Sequence, residues 1–168
     1  LFALMHVLDP VRPLAFGPAR VKSPEEIPRL VQGNAAQTGR LVSHLFSGRL
    51  AEWMRAAFPE RGEDVAFLER CAREHSRADA DLAVFRVCCH FEPATPIRIG
   101  VGTASTPAEL AAAIARTPQS MEEGAGLLSR GWMRAWLVET GRMKDPAPFD
   151  EVIADPVSSW SRKLEAVL

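Results

Sequence analysis

Gly48-Arg49-Leu50-Ala51-Glu52-Trp53-Met54 returns as Gly131-Trp132-Met133-Arg134-Ala135-Trp136-Leu137. The shared pattern is Gly, any residue, Leu or Met, two of any kind, Trp, then Leu or Met. The copies lie 83 positions apart, and the offset holds far outside the motif. Phe2 meets Phe85, Pro10 meets Pro93, Pro13 meets Pro96, Gly17 meets Gly100, Pro24 meets Pro107, Glu26 meets Glu109 and Leu45 meets Leu128. No gap is needed from residue 2 to residue 54. Gly, Pro and Trp mark special backbone or large core positions, so their joint recurrence reads as an internal duplication. A unit this long suits a pseudo-symmetric pair better than an open array. The expected fold is mainly α: two tandem helical repeats of about 83 residues, 1–83 and 84–168, each with a small β-hairpin.

Within each copy the order of elements follows from local signals. Leu1 to Leu8 and its counterpart Leu82 to Phe91 are apolar runs stopped by Asp9-Pro10 and Glu92-Pro93, and both read as buried helices. Pro13 to Val21 and Pro96 to Ala104 read as short hairpins turning at glycine. Ser23-Pro24-Glu25-Glu26 and Thr106-Pro107-Ala108-Glu109 have the form of capping boxes and are expected to start helices near 24–32 and 107–116. Asn34 and Thr117-Pro118 cap second helices, to about Phe46 and Ser129. Gly48 and Gly131 are placed to take the left-handed conformation past a helix end. The third helices follow, with Leu50 and Trp53-Met54, or Met133 and Trp136-Leu137, on one face. Last helices are expected around 63–76 and 149–167, the first with Val65, Leu68, Cys71-Ala72 and His75 on one face. The second should break at Asp155-Pro156.

Charge and composition narrow the function classes. With 20 basic against 21 acidic residues the chain lacks the basic excess of a nucleic-acid surface. Leu1 to Leu8 is too short to span a membrane and has no basic leader. Three cysteines, two of them adjacent, do not make a disulfide framework, and a reducing cytoplasm is the expected setting. A start at Leu1 and an expected helix running to Leu168 suggest a fragment of a longer protein.

Signals for catalysis are weak. Cys71 and His75, four apart on an expected helix, could combine with Cys88-Cys89-His90 downstream into a zinc site or a thiol enzyme. Adjacent cysteines rarely hold one ion, and Cys88-Cys89 sits in the apolar run opposite Met5-His6, where core packing is the simpler reading. Gly100-Val101-Gly102 mimics a dinucleotide fingerprint. The third glycine is missing, and no strand ending in an acid follows at the required distance, so a hairpin turn is expected. Glu122-Glu123, and Asp79 with Asp81, read as solvated faces. No Walker loop, nucleophile elbow or His-Glu-x-x-His helix is present. The reading is therefore of no catalytic residue, no metal and no cofactor.

The largest difference between the copies is Trp132 against Arg49. Trp is enriched at binding hot spots, so Trp132, flanked by Arg130 and Arg134 as a polar rim, is the candidate partner-binding face. A structural role for Trp132 at the joint between copies is the alternative. Trp160 also has no aromatic counterpart.

The run from Pro13 through Trp53 resembles a repeat of large bacterial proteins. In that repeat a Ser/Thr-Pro-Glu-Glu-Leu helix start is followed by a Gly-x-Leu-x-x-Trp-Leu helix. Here Ser23-Pro24-Glu25-Glu26-Ile27 and Thr106-Pro107-Ala108-Glu109-Leu110 stand for the first motif, with Met54 and Met133 as mild departures in the second. The resemblance covers about two thirds of the chain. It implies a place beside protein-kinase, Hsp70-like or other regulatory modules, and supplies no active-site residue. The expected function is a non-catalytic protein-interaction or regulatory module of a larger bacterial signalling or stress-related protein. Its partner would be another protein or another domain of the same chain.

Overall fold

The computed structural model describes residues 12–159 and 162–164. The run Leu1 to Leu8, the Phe2 and Pro10 matches and Trp160 lie outside the described residues. The protein is mainly helical with two small antiparallel hairpins, in two compact units, Leu1–Val87 and Cys88–Leu168.

In the first unit β1 (Leu14–Phe16) pairs with β2 (Ala19–Val21), Leu14 opposite Val21 and Phe16 opposite Ala19. Gly17 takes φ 66° and Pro18 fixes the next residue, which gives the mirror-type turn that matches strand twist. Alternation buries Leu14, Phe16 and Val21 and leaves Ala15 and Arg20 outside. Next come α1 (Glu26–Val31), α2 (Ala35–Phe46), α3 (Arg49–Ala57) and α4 (Gly62–Glu74), with α5 (Ala80–Phe91) running through the division between units. The Asn34 side chain accepts the Gln37 amide and so caps α2. Gly48 at φ 79° turns the chain sharply into α3. Leu50, Trp53 and Met54 are buried there as the helical spacing requires, and α3 packs on α2 and α4.

The second unit has β3 (Ile97–Ile99), β4 (Gly102–Ala104), α6 (Pro107–Ile114), α7 (Pro118–Ser129), α8 (Trp132–Glu139) and α9 (Ala147–Ala154). Gly100-Val101 is the hairpin turn, so the apparent fingerprint is a turn, as expected from its missing third glycine. Thr106 accepts the Glu109 amide and Thr117 the Ser120 amide, and both cap helices. Gly131 sits at φ 80°. Helix α9 ends at Ala154, before Asp155-Pro156. The strands β3 and β4 and the helices α7 and α8 each begin 83 positions after β1, β2, α2 and α3.

Two local expectations change. Ser23 does not cap α1: the helix begins at Glu26, its cap position Glu25 makes no side-chain capping bond, and the Glu26 and Ile27 amides reach the Ser23 and Pro24 carbonyls in tight turns. Pro28 is the reason. Its nitrogen has no hydrogen to give Pro24 and its ring crowds that carbonyl, so the second helical bond is lost, and Ile27 turns to Pro24 instead of Ser23. In the second unit that position is Ala111, and Leu110 does bond to Thr106. The back-bond of each box is also displaced by one residue: Glu26 accepts from the Lys22 amide and Glu109 from the Ser105 amide, each preceding the hydroxyl residue. Second, α4 ends at Glu74, leaving His75 extended and off the face that buries Val65, Leu68 and Cys71.

Each unit closes on a tryptophan. Trp53 Nε1 donates to the Arg12 carbonyl and Trp136 Nε1 to the Thr95 carbonyl, both at 2.8 Å. Trp53→Ala and Trp136→Ala should each lower stability by about 3–5 kcal/mol in chemical denaturation; a near-native midpoint would place that indole outside the core. Thr106→Ala should cost about 1 kcal/mol, and Ser23→Ala distinctly less, because only Thr106 caps a helix.

Candidate interaction surface

The end of α7 and the start of α8 form one corner, made by Gly131. The Arg130 and Gly131 amides close α7 onto Gly126 and Leu128, and the chain then turns into α8. This leaves Arg130 exposed, its Nε donating to the Gly126 carbonyl at 3.0 Å. Trp132 opens α8 and is half-buried, while Met133, Trp136 and Leu137 face inward. Arg134 is already engaged. It grips Asp150 of α9 with two bonds, Nε to Oδ1 at 2.5 Å and Nη2 to Oδ2 at 2.7 Å. That grip holds the Asp150 carboxyl below its ordinary value. Of the three residues expected to form the binding face, Arg130 and Trp132 share this corner, and Arg134 ties α8 to α9.

Beside the corner lies a groove of about 770 Å³ between the β3–β4 turn and α7. Arg98, Ile99, Leu127 and Arg130 line it, with Glu122 and Glu123 on the helix. A second groove, about 520 Å³, runs along the other side of the turn toward Ala112, Arg116 and Ser120. Both volumes fall within the roughly 300–1,000 Å³ of sites that take ligands. Glu123, expected on a solvated face, is partly exposed and lies over the turn, its Oε2 within 3.0 Å of where a Cβ on Gly100 would be. Arg98 and Leu127 were not singled out from sequence, and Glu123 only as part of an exposed acidic pair. The available signal was that they meet Ala15, His44 and Arg40 at the 83-residue offset.

Cys71, His75, Cys88, Cys89 and His90 are spread over α4, the residue that follows it and α5. Cys71 is fully buried and its thiol faces the Ala83 carbonyl at 3.7 Å. His75 faces Arg86, which donates to its Nε2 at 3.0 Å, and burial followed by the Arg86 charge lowers its pKa. Burial, with the Glu92 charge, pushes the Cys88 thiol up to about 12. Burial, with Cys88 and Glu139, does the same for Cys89. Among the described residues no three His, Cys, Asp or Glu side chains converge as metal ligands.

At pH 8 a thiol with a pKa of about 12 is ionised about once in ten thousand, so native alkylation of Cys88 and Cys89, followed by mass spectrometry, should be very slow and should accelerate with pH. The same shift has a sign for stability. The folded state holds these protons more tightly than the unfolded one, at 9.0, so the contribution is complete below pH 9 and is lost as pH rises toward 12. Rapid labelling at pH 8 would place the thiols at the surface.

No protein-family model, curated protein or solved structure matches the chain.

Proposed function

We propose that the chain is a non-catalytic protein-interaction or regulatory module of a larger bacterial signalling or stress-related protein. It would act in the cytoplasm on a protein partner or another domain of its own chain. Its architecture is read as two tandem copies, 1–83 and 84–168, of a unit of about 83 residues.

The observation that carries the reading is a division of labour along the sequence. The buried framework recurs at the offset: the turn glycines, the strand register and the indole-to-carbonyl bonds of Trp53 and Trp136. The surface around the α7–α8 corner does not recur: Trp132 replaces Arg49, and Arg130 replaces Ser47. A duplicated scaffold must keep what folding needs and is free to differ where one copy meets something else. The likeness of the two motifs to a repeat of bacterial regulatory proteins supports the same class. A metal site or thiol enzyme built on Cys71, His75, Cys88, Cys89 and His90 has less support, because burial keeps the Cys88 and Cys89 thiols protonated at neutral pH.

The test is Trp132→Ala, assayed against the neighbouring domains of the parent protein and its co-purifying partners. Binding should fall by about tenfold or more, the loss of a hot-spot aromatic, with a melting temperature unchanged within a degree or two. A melting temperature lowered by several degrees, with binding lost only on unfolding, would make Trp132 scaffold.

A further inference from the structure

In the first unit the outer edge of β1 is covered. His44 on α2 carries its hydrogen on Nε2, since a carbonyl can only accept, and donates to Ala15, the middle residue of the strand, at 2.9 Å. Arg40, one turn earlier, lies over Gly17, so that a Cβ there would come within 2.6 Å of its guanidinium. The corresponding places in the second unit hold other residues: Leu127 for His44, Glu123 for Arg40 and Arg98 for Ala15. Leu127 has nothing to donate.

The register makes this consequential. Ile99 and Gly102 close the two-residue turn, and antiparallel ladders alternate, so Arg98 and Thr103 form the pair without mutual hydrogen bonds. The N–H and C=O of Arg98 therefore point away from β4. Among the described residues neither finds a partner, and Arg98 lines the groove of about 770 Å³. The Arg98 side chain is exposed and makes no ion pair among the described residues.

We propose that an extended segment of a protein partner adds to β3 as a third strand. Its backbone pairs with the N–H and C=O of Arg98, and it carries one acidic side chain opposite Arg98. This deepens the interaction reading above and rests on it. A second copy of the chain is a poor occupant, because antiparallel pairing centred here would set Arg98 against Arg98, and like charges directly opposite are unfavourable. An acid at that position reverses the sign. Its neighbours in the segment point to the opposite face, toward Ile99 and Leu127, and should be apolar. Glu122 and Glu123 on the far wall exclude a uniformly acidic run.

A displayed library of short random linear peptides, screened against the whole chain and followed by NMR titration of the selected peptides, tests this. The expected binders carry one acid between apolar residues and shift the Arg98 and Ile99 amides. They should weaken about tenfold or more when the peptide amide facing Arg98 is N-methylated. Leu127→His, which brings the first unit's donor to this edge, should weaken them by a similar factor. Arg98→Glu, an exposed change, should turn the preference from acidic to basic. Peptides that shift amides around Trp132 instead, or that tolerate both N-methylation and Leu127→His, overturn the strand-edge proposal and leave the module reading standing. A screen that enriches nothing over a control protein also overturns it, and the module reading then rests on the Trp132 variant alone.

Discussion

A buried indole N–H must find an acceptor, because an unsatisfied donor in the interior costs about 1–3 kcal/mol. Both units answer that constraint in the same way. The tryptophan of the third helix reaches back 41 positions to a carbonyl just before the first strand. One bond thus fixes three things: the rotation of the helix, the level at which the chain enters the hairpin, and the buried face between them. The left-handed glycine before each helix serves that end. Gly48 and Gly131 turn the chain so that Trp53 or Trp136, five residues on, comes inward. A residue with a Cβ would meet strain at that φ.

Around this fixed bond the units use different chemistry to cover the indole. In the first, Phe58 packs edge-on to Trp53, and Arg61 lies over the Phe58 ring. Arg61 also bonds to Glu25 and Asp64. Partial burial would raise the Glu25 carboxyl, but the Arg61 bond and local hydrogen bonds outweigh it and leave the pKa lowered. In the second unit Arg142 stacks directly on Trp136 at 4.5 Å and donates to the Pro93 and Ser105 carbonyls. A planar cation can do both at once, since its face meets the ring while its edge carries the donors. The framework is thus set by the indole's one polar atom, while its apolar surface accepts more than one cover.

What was legible in the sequence follows from range. Caps, turn glycines and helical faces are settled within a few residues, so Asn34, Thr106, Thr117, Gly48 and Gly131 could be read directly. The effect of Pro28 is equally local, but Ser23 and Thr106 match at the cap, and the difference that matters is the donor four residues beyond Pro24. His75 was placed on a helical face by spacing, yet the helix stops at Glu74. The groove was not legible, because it depends on which side chain of α7 comes to lie against which strand edge. Such pairings between elements leave no pattern in either element alone. A trace existed only in the comparison of copies, where a donor faces one strand edge and a leucine the other.

That comparison also separates charge from access. Arg12, Arg20, Lys22, Arg29 and Arg40 in the first unit meet Thr95, Thr103, Ser105, Ala112 and Glu123 in the second, none of them basic. If long-range charge alone selected a partner, an acidic segment would be drawn to the first unit, since steering follows the summed field rather than single contacts. There, however, His44 already holds the Ala15 carbonyl, and the strand edge cannot accept a further chain without breaking that bond. In the second unit 8 basic residues stand against 10 acidic ones, so net charge offers no such attraction, and Leu127 stands where His44 makes its bond. For such a segment encounter and retention would be governed by different residues. On the strand-addition proposal, exposed cations would set how often an acidic segment arrives, and the single change from a donating imidazole to a leucine would decide where its backbone is held.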